Sequence, residues 1–172
     1  MVNKILLAVS LLAVLAAAPQ MASAAGEQPL QLALFNPVQL VPETENIKGL
    51  SLGLLYSVNK DIFGLSACIG VNRITGEMGG VQFALGNVVE GASYGGQIGL
   101  VNYTGKRFVG VQYGFVNVIA GDMTGVQWGT VNWTEGFMHG IQYGALNYTK
   151  GDAVGMNVGL VNFNAGTFKG FQ

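Results

Sequence analysis

The sequence is poor in the residues on which most catalytic and metal sites depend. Its 172 residues include one cysteine, one histidine and 4 prolines, and 8 Lys or Arg stand against 9 Asp or Glu. A single cysteine excludes a disulfide-stapled scaffold, and the sparse, balanced charge argues against a basic face for nucleic acid. Half of the residues are nevertheless hydrophobic, so the chain is not predicted to be disordered. These shortages exclude classes of protein without indicating a reaction.

The sequence also lacks an apolar run long enough to cross a bilayer as a helix, which takes about 20 residues. The longest such run extends only from Ile5 to Ala18; it follows Lys4 and precedes the small residues Ala22-Ser23-Ala24. This pattern predicts a signal peptide over residues 1–24, cleaved after Ala24, and export to a bacterial periplasm, outer membrane or cell surface. An uncleaved anchor helix is the alternative.

Proline is confined, after the predicted cleavage point, to residues 25–48. Pro29, Pro37 and Pro42 lie there, and no proline follows Pro42 in the rest of the chain. Because proline lacks the N–H of a strand ladder, it is restricted to edges and turns. Residues 25–48 are therefore predicted to form an extended lead-in, or N-terminal cap, that covers the first edge of the structure beyond it.

Glycine, in contrast, is abundant and periodic. Glycine accounts for 27 of the 172 residues, whereas in an ordinary domain it accounts for roughly 7% of residues. Two looser units begin at Gly49 and Gly64, the second with one extra residue, and six regular 15-residue units begin at Gly80. A fixed period over this many units is typical of a repeat architecture, so residues 49–172 are predicted to be tandem 15-residue β-repeats. The regular units are GVQFALGNVVEGASY, GGQIGLVNYTGKRFV, GVQYGFVNVIAGDMT, GVQWGTVNWTEGFMH, GIQYGALNYTKGDAV and GMNVGLVNFNAGTFK.

Positions within a unit, numbered from its first glycine, divide into strand and turn. The first nine are rich in β-branched and aromatic residues, which predicts strand; positions two, four and six share one face, and three, five and seven share the other. The glycine at position twelve, such as Gly121, is predicted to lie in a turn that needs a positive φ. From Gly80 to Lys169, every charged side chain falls at positions eleven to fifteen.

The predicted fold is all-β: a β-solenoid of about eight 15-residue coils that follows the cleaved signal peptide. Equal positions of successive coils would stack about 4.8 Å apart, so recurring amides would form two hydrogen-bonded ladders. Position three contributes Gln82, Gln97, Gln112, Gln127 and Gln142, and position eight contributes Asn87, Asn102, Asn117, Asn132, Asn147 and Asn162.

The alternative fold is an eight-stranded outer-membrane β-barrel with one strand per unit. A spanning strand takes about 9–11 residues, and eight is the smallest usual strand number. Barrels, however, alternate long and short turns, whereas here the turns are alike. A barrel would also present one of the two amide rows to lipid. These two observations favour the solenoid.

The repeated phrase resembles a known family. Units such as Gly110–Asn117 and Gly125–Asn132 follow the pattern G-V-Q-x-G-x-V-N and look like bacterial surface-repeat proteins built from tandem GLQIGLVN-type units. The resemblance extends from Gly49 to Gln172. It implies an exported envelope or surface protein of unknown function, and it brings no catalytic or ligand-binding residues. Ala84, Gly86 and Asn157 depart from the pattern.

No group of residues forms a candidate catalytic, cofactor or metal site. His139 has no Ser or Cys at a recurring spacing and is predicted to be a solvated turn residue. Cys68 is predicted to be a small buried hydrophobe. Asp122 and Asp152 share their edge with basic side chains, so a Ca²⁺ site is not predicted. Three Asn-x-Thr patterns are predicted to be by-products of the repeat, at Asn102, Asn132 and Asn147.

The expected function is that of a non-enzymatic, exported envelope or surface repeat protein with a structural or interaction role; a small outer-membrane barrel protein is the alternative. No cofactor is expected. The partner hypotheses are an envelope component and self-association through the strand edge left uncapped at Phe171-Gln172. Because a small coil must fill its interior, the recurring aromatic residues are expected in the core, with an outward stripe as the alternative. They are Phe83, Tyr113, Trp128, Tyr143, Tyr103, Trp133, Tyr148 and Phe163.

Overall fold

The structure, a computed structural model, describes residues 26–172. The predicted signal peptide and its cleavage point lie outside the described residues. Every regular element of the described part is a strand. The lead-in and first coil contain β1 (Gln28–Phe35), β2 (Val38–Gln39) and β3 (Ile47–Asn59).

From β4 onward, a longer and a shorter strand alternate along the chain. The longer series is β4 (Ile62–Cys68), β6 (Met78–Phe83), β8 (Ser93–Ile98), β10 (Phe108–Tyr113), β12 (Met123–Trp128), β14 (Met138–Tyr143), β16 (Ala153–Val158) and β18 (Phe168–Phe171). The shorter series is β5 (Val71–Ile74), β7 (Gly86–Val89), β9 (Val101–Thr104), β11 (Val116–Ile119), β13 (Val131–Thr134), β15 (Leu146–Thr149) and β17 (Val161–Asn164).

Each strand pairs in parallel with the equivalent strand of the next coil. β10 lies between β8 and β12, and Gln112 is in register with Gln97 on one side and Gln127 on the other. The shorter strands stack in the same way, with β11 between β9 and β13. One coil is therefore a longer strand, a turn, a shorter strand and a second turn. The predicted β-solenoid is confirmed, and its longer strands, together with β1 and β3, form ten layers.

The barrel alternative is wrong. Neighbouring strands of an up-and-down barrel are antiparallel and consecutive in the chain. Here each strand pairs in parallel with the strand at the same position of the next unit, as Gln127 pairs with Gln142 and Asn132 with Asn147. The unit at Gly64 carries an extra residue and still pairs in this way, with Ser66 opposite Gln82. The period places one closed coil, and not one strand, in each unit.

The lead-in supplies the first layer of the stack. β1 pairs in parallel with β3, with Gln31 opposite Ser51, and β2 folds back antiparallel on β1. The fully buried Gln31 side chain donates from Nε2 to the carbonyl of Val41 at 2.8 Å and accepts from its N–H at 2.9 Å. These two hydrogen bonds hold the end of the lead-in across the first coil.

The interior of the coil is built by positions three, eight, ten and fourteen. In one coil these are Gln112, Asn117, Ile119 and Met123, and all four are 0% exposed. The apolar members form two clusters of buried residues, one around Ile47 and Met78 and one around Phe108 and Met123. The amides fill the rest, so that half of the interior is polar.

The recurring aromatic residues lie on the outside, so their predicted place in the core is wrong. Trp128 is 54% exposed and Tyr143 is 49% exposed, and Trp133 and Tyr148 on the shorter strands are half-buried. The reason is the strand alternation itself: once Gln127 and Asn132 point inward, their neighbours Trp128 and Trp133 must point outward.

The positive φ predicted for position twelve is found at position one. Gly110, inside β10, has φ of +142°, and a methyl group there would overlap the carbonyl oxygen of Gly95 in the preceding coil. Gly121, at position twelve, has no positive φ. It is a glycine because the backbone of the preceding turn, at Lys106, passes too close for a side chain.

Candidate functional site

The glutamines of position three form a continuous ladder inside the coil. Nε2 of each one donates to Oε1 of the glutamine in the preceding coil: Gln97 to Gln82 at 3.0 Å, Gln112 to Gln97 at 2.6 Å, Gln127 to Gln112 at 3.0 Å and Gln142 to Gln127 at 2.7 Å. Threonines of position ten add a second donor, as Thr134 Oγ1 does to Gln127 Oε1 at 3.1 Å. The ladder stops where Asn157 replaces glutamine, and neither side-chain amide atom of Asn157 has a hydrogen-bond partner.

The asparagines of position eight form a second ladder whose donors point the opposite way. Nδ2 donates to Oδ1 of the next coil, at 2.8–2.9 Å, in the series Asn87, Asn102, Asn117, Asn132, Asn147 and Asn162. The same nitrogen also donates to a backbone carbonyl at position four of the next coil, as Asn117 does to Trp128 at 3.1 Å. Each inner asparagine thus uses both of its protons.

These ladders hold the coils in register and do not present a binding site. From Asn87 to Asn147 and from Gln82 to Gln142, every member is 0% exposed. Their polar atoms are directed at the neighbouring rungs and at the backbone, and an exterior solute cannot reach them. The same burial encloses Asn102, Asn132 and Asn147, so the Asn-x-Thr patterns do not present accessible glycosylation sites in the folded chain.

The coil has two edges, where turns connect the longer-strand sheet to the shorter-strand sheet. One edge is charged and the other is apolar. The charged edge consists of the turns at positions eleven to thirteen, which carry the exposed side chains of Glu90, Lys106, Arg107, Asp122, Glu135, Lys150 and Asp152. Asp122 Oδ1 accepts the N–H of Phe137 at 2.8 Å, and Asp152 Oδ1 accepts that of Thr167 at 2.7 Å. These carboxylates brace the turn of the next coil. Among the described residues, no three metal-ligating side chains are grouped.

The apolar edge consists of the turns at positions five and six. A glycine or alanine usually fills position five, and a large apolar side chain points outward at position six. Exposed fractions there reach 65% for Ile69, 58% for Leu100, 59% for Phe115 and 89% for Leu160. Thr130 and Ala145 occupy the same position in the intervening coils. This row of turn tips contains the most exposed large hydrophobic side chain of the described chain, that of Leu160.

An aromatic row flanks the apolar edge on the longer-strand sheet. It consists of Tyr113, Trp128 and Tyr143, whose ring centroids are 5.9 and 5.4 Å apart in edge-on contacts. Between this row and the tips of the apolar edge runs an open groove of about 710 Å³. Its walls are apolar rings and side chains, and glycines such as Gly114 and Gly129 line its floor.

A second aromatic stack lies on the shorter-strand sheet. Trp133, Tyr148 and Phe163 overlap face to face, with centroids 3.9 and 5.5 Å apart. Both sheets therefore expose apolar side chains, and large exposed apolar patches mark interaction sites on folded proteins. The amide ladders could be anticipated from the period, but the groove could not, because it arises only when the tips and the rings face outward.

The single histidine and the single cysteine lie on different strands, β14 and β4. His139 is exposed, and it lies within β14, not in the predicted turn. Cys68 is a buried free cysteine, as predicted, and burial raises the pKa of its thiol. Tyr56 and Glu90 raise the pKa of the Arg73 guanidinium above its ordinary value; both are its hydrogen-bond partners across adjacent coils.

The described residues contain no helix that is long and apolar enough to cross a membrane. The chain matches no protein-family model, no curated protein and no solved structure with which it was compared.

Proposed function

We propose that the chain is a non-enzymatic, exported envelope or surface protein whose solenoid acts as an interaction scaffold. One observation carries the proposal: polar amides are sealed inside the coil, while apolar and aromatic side chains are displayed outside. Gln127 is 0% exposed, whereas its neighbour Trp128 is 54% exposed. Such a surface favours a protein with a binding partner, because apolar area that stays exposed to water is unfavourable in free energy.

The rigidity of the displayed surface supports a scaffold role. From the coil that begins at Gly80 to the coil that begins at Gly140, neighbouring coils are tied by parallel strand pairing on both sheets and by both amide ladders. The exposed side chains are consequently held at the coil repeat, about 4.8 Å apart. An array of this kind suits recognition of an extended partner surface more than capture of a single small solute.

Export and location are supported by the sequence. Lys4, the apolar run Ile5–Ala18 and Ala22-Ser23-Ala24 have the order of a cleaved signal peptide, and the repeat resembles bacterial surface-repeat units. The charged side chains between Gly80 and Lys169 are spread along one edge in mixed sign. This spacing, with Asp122 and Asp152 two coils apart, supports a role other than catalysis.

Fractionation of bacteria expressing the full chain tests the proposal. The accumulated protein is expected in the envelope or at the cell surface, with Ala25 as its N-terminal residue. A control with Leu11→Arg and Leu12→Arg, which interrupts the apolar run, is expected to remain in the cytoplasm with its N-terminus uncleaved. Cytoplasmic protein that starts at Met1 in the unaltered chain would refute export.

A further inference from the structure

The charge of the solenoid is divided across its cross-section. From Gly80 to Lys169, charged side chains are found only on the charged edge and at the adjoining strand starts, positions eleven to fifteen. The apolar edge, on the opposite side of every coil, carries none in these units. Because this division repeats in each of these six units, the rod is amphipathic over the length that they span.

The tips of the apolar edge form a straight row. Equal positions stack about 4.8 Å apart, so the eight tips from Leu54 to Leu160 extend over about 34 Å. Six of the eight are Leu, Ile or Phe. They project from turns, not from a flat sheet, and the apolar surface continues from them onto both flanking sheets. A rigid protein partner would cover one sheet or the tips, whereas a fluid apolar medium covers all three surfaces at once.

The N–H groups at the apolar edge are already hydrogen-bonded within the protein. In one turn, Gly114 N–H donates to Trp128 O at 3.0 Å, and Phe115 and Val116 both donate to Leu100 O at 2.9 Å. Asn117 Nδ2 adds a second donor to Trp128 O. The turns at Gly99 and Gly129 repeat these N–H hydrogen bonds. Lipid accepts only backbone whose polar groups are satisfied internally, and these N–H groups fulfil that condition.

The aromatic row occupies the level expected for a membrane interface. Tyr113, Trp128 and Tyr143 lie at position four, two residues from the tips and on their flank. Tyrosine and tryptophan are enriched where hydrocarbon meets headgroups, since one end of each ring system is apolar and the other is polar.

We propose that the apolar edge docks on a lipid bilayer, with the rod parallel to the membrane plane. The tips would insert about 5–10 Å, the depth typical of interfacial segments, and the charged edge would face water. Phosphatidylcholine headgroups would meet the aromatic row, and acyl chains would fill the groove. The inference names the partner of the proposed interaction scaffold and rests on that role, but it does not require the proposed export.

Co-flotation of the purified protein with phosphatidylcholine vesicles tests this inference, using the form that cells accumulate. These vesicles carry no net charge, so binding must come from apolar contacts. Phe115→Glu, on the apolar edge, is expected to lower the partition coefficient by at least about tenfold, because the substitution forfeits burial of a phenyl ring. Phe137→Glu is the matched control: Phe137 is also an exposed phenylalanine, 42% against 59%, but it lies on the charged edge. It is expected to bind as the unaltered protein does, and both variants should retain their melting temperature.

Tryptophan emission gives an independent readout of orientation. The chain has two tryptophans, so Trp133→Phe reports Trp128 alone and Trp128→Phe reports Trp133 alone. Vesicles are expected to shift the emission of Trp128 to shorter wavelength by several times the shift of Trp133, which lies closer to the charged edge.

Several outcomes would overturn the inference. They are absence of flotation of the unaltered protein, equal loss of binding in Phe115→Glu and Phe137→Glu, and self-association that hides the apolar edge and excludes vesicles. Binding that appears only with anionic vesicles and disappears in high salt would also overturn it. A failure of export with intact vesicle binding would instead count against the proposed location alone.

Discussion

Asn117→Ala should destabilise the solenoid more than its small change in volume suggests. The side chain is 0% exposed and makes three hydrogen bonds: it donates to Trp128 O and Asn132 Oδ1, and it accepts from Asn102 Nδ2 at 2.8 Å. Its removal leaves Asn132 Oδ1 without a donor and one proton of Asn102 without an acceptor. Each buried orphan costs about 1–3 kcal/mol, so we expect a loss of about 4 kcal/mol in the free energy of unfolding.

The measurement is equilibrium unfolding in urea, followed by far-UV circular dichroism and by tryptophan emission, with Asn162→Ala as the control. Asn162 is half-buried and accepts one hydrogen bond, from Asn147 at 2.8 Å, so its loss should cost about 1 kcal/mol. Equal small losses in both variants would refute the conclusion that the ladder stabilises the interior.

Three further predictions follow from burial and backbone geometry. Gly110→Ala should lower the free energy of unfolding by more than about 3 kcal/mol in the same assay, because the added methyl group overlaps a carbonyl of the preceding coil. In the control Gly96→Ala, the added atom meets only Val81 at ordinary contact distance, so the loss should be under about 1 kcal/mol. Met123→Ala should cost about 2–5 kcal/mol and Trp128→Ala only about 1 kcal/mol, since the methionine is buried and the tryptophan makes exposed ring contacts; the reverse order would contradict the outward aromatic row. Cys68 should react with iodoacetamide at pH 8 far more slowly in the native protein than in urea, because burial raises its thiol pKa and blocks access, and equal rates would show that the site is open.

The coil was predictable because its determinants are periodic. The regular spacing of Gln97, Gln112 and Gln127 indicates one layer for each repeat unit, and in a parallel stack identical amides meet at hydrogen-bonding distance. The 15-residue spacing alone does not distinguish the solenoid from an up-and-down barrel. In the sequence, the distinction depends on other observations, such as the similarity of the turns. The parallel pairing itself required the structure.

Which face is inside was not predictable from alternation alone. Alternation places Gln127 and Trp128 on opposite faces but does not say which one is buried. The expectation of an aromatic core assumed that apolar burial decides. In this stack, the hydrogen bonds between successive amides compensate for the desolvation of those amides. The location of the positive φ was not predictable either, since Gly110 and Gly121 are both recurring glycines. Only the path of the backbone shows that Gly110 adopts a positive φ and that Gly121 lies close to the backbone of the preceding turn.

The central claim, that the amides are sealed inside and the apolar surface is displayed, is tested most directly by side-chain amide hydrogen exchange. Nuclear magnetic resonance can follow the Nε2 protons of Gln112 and the Nδ2 protons of Asn117, with the exposed Gln172 as an internal reference. We predict exchange from both interior amides that is slower than that of Gln172 by at least about a thousandfold, as expected for groups released only by substantial unfolding. Exchange of Gln112 and Asn117 at the rate of Gln172 would place the amides in solvent and contradict the account.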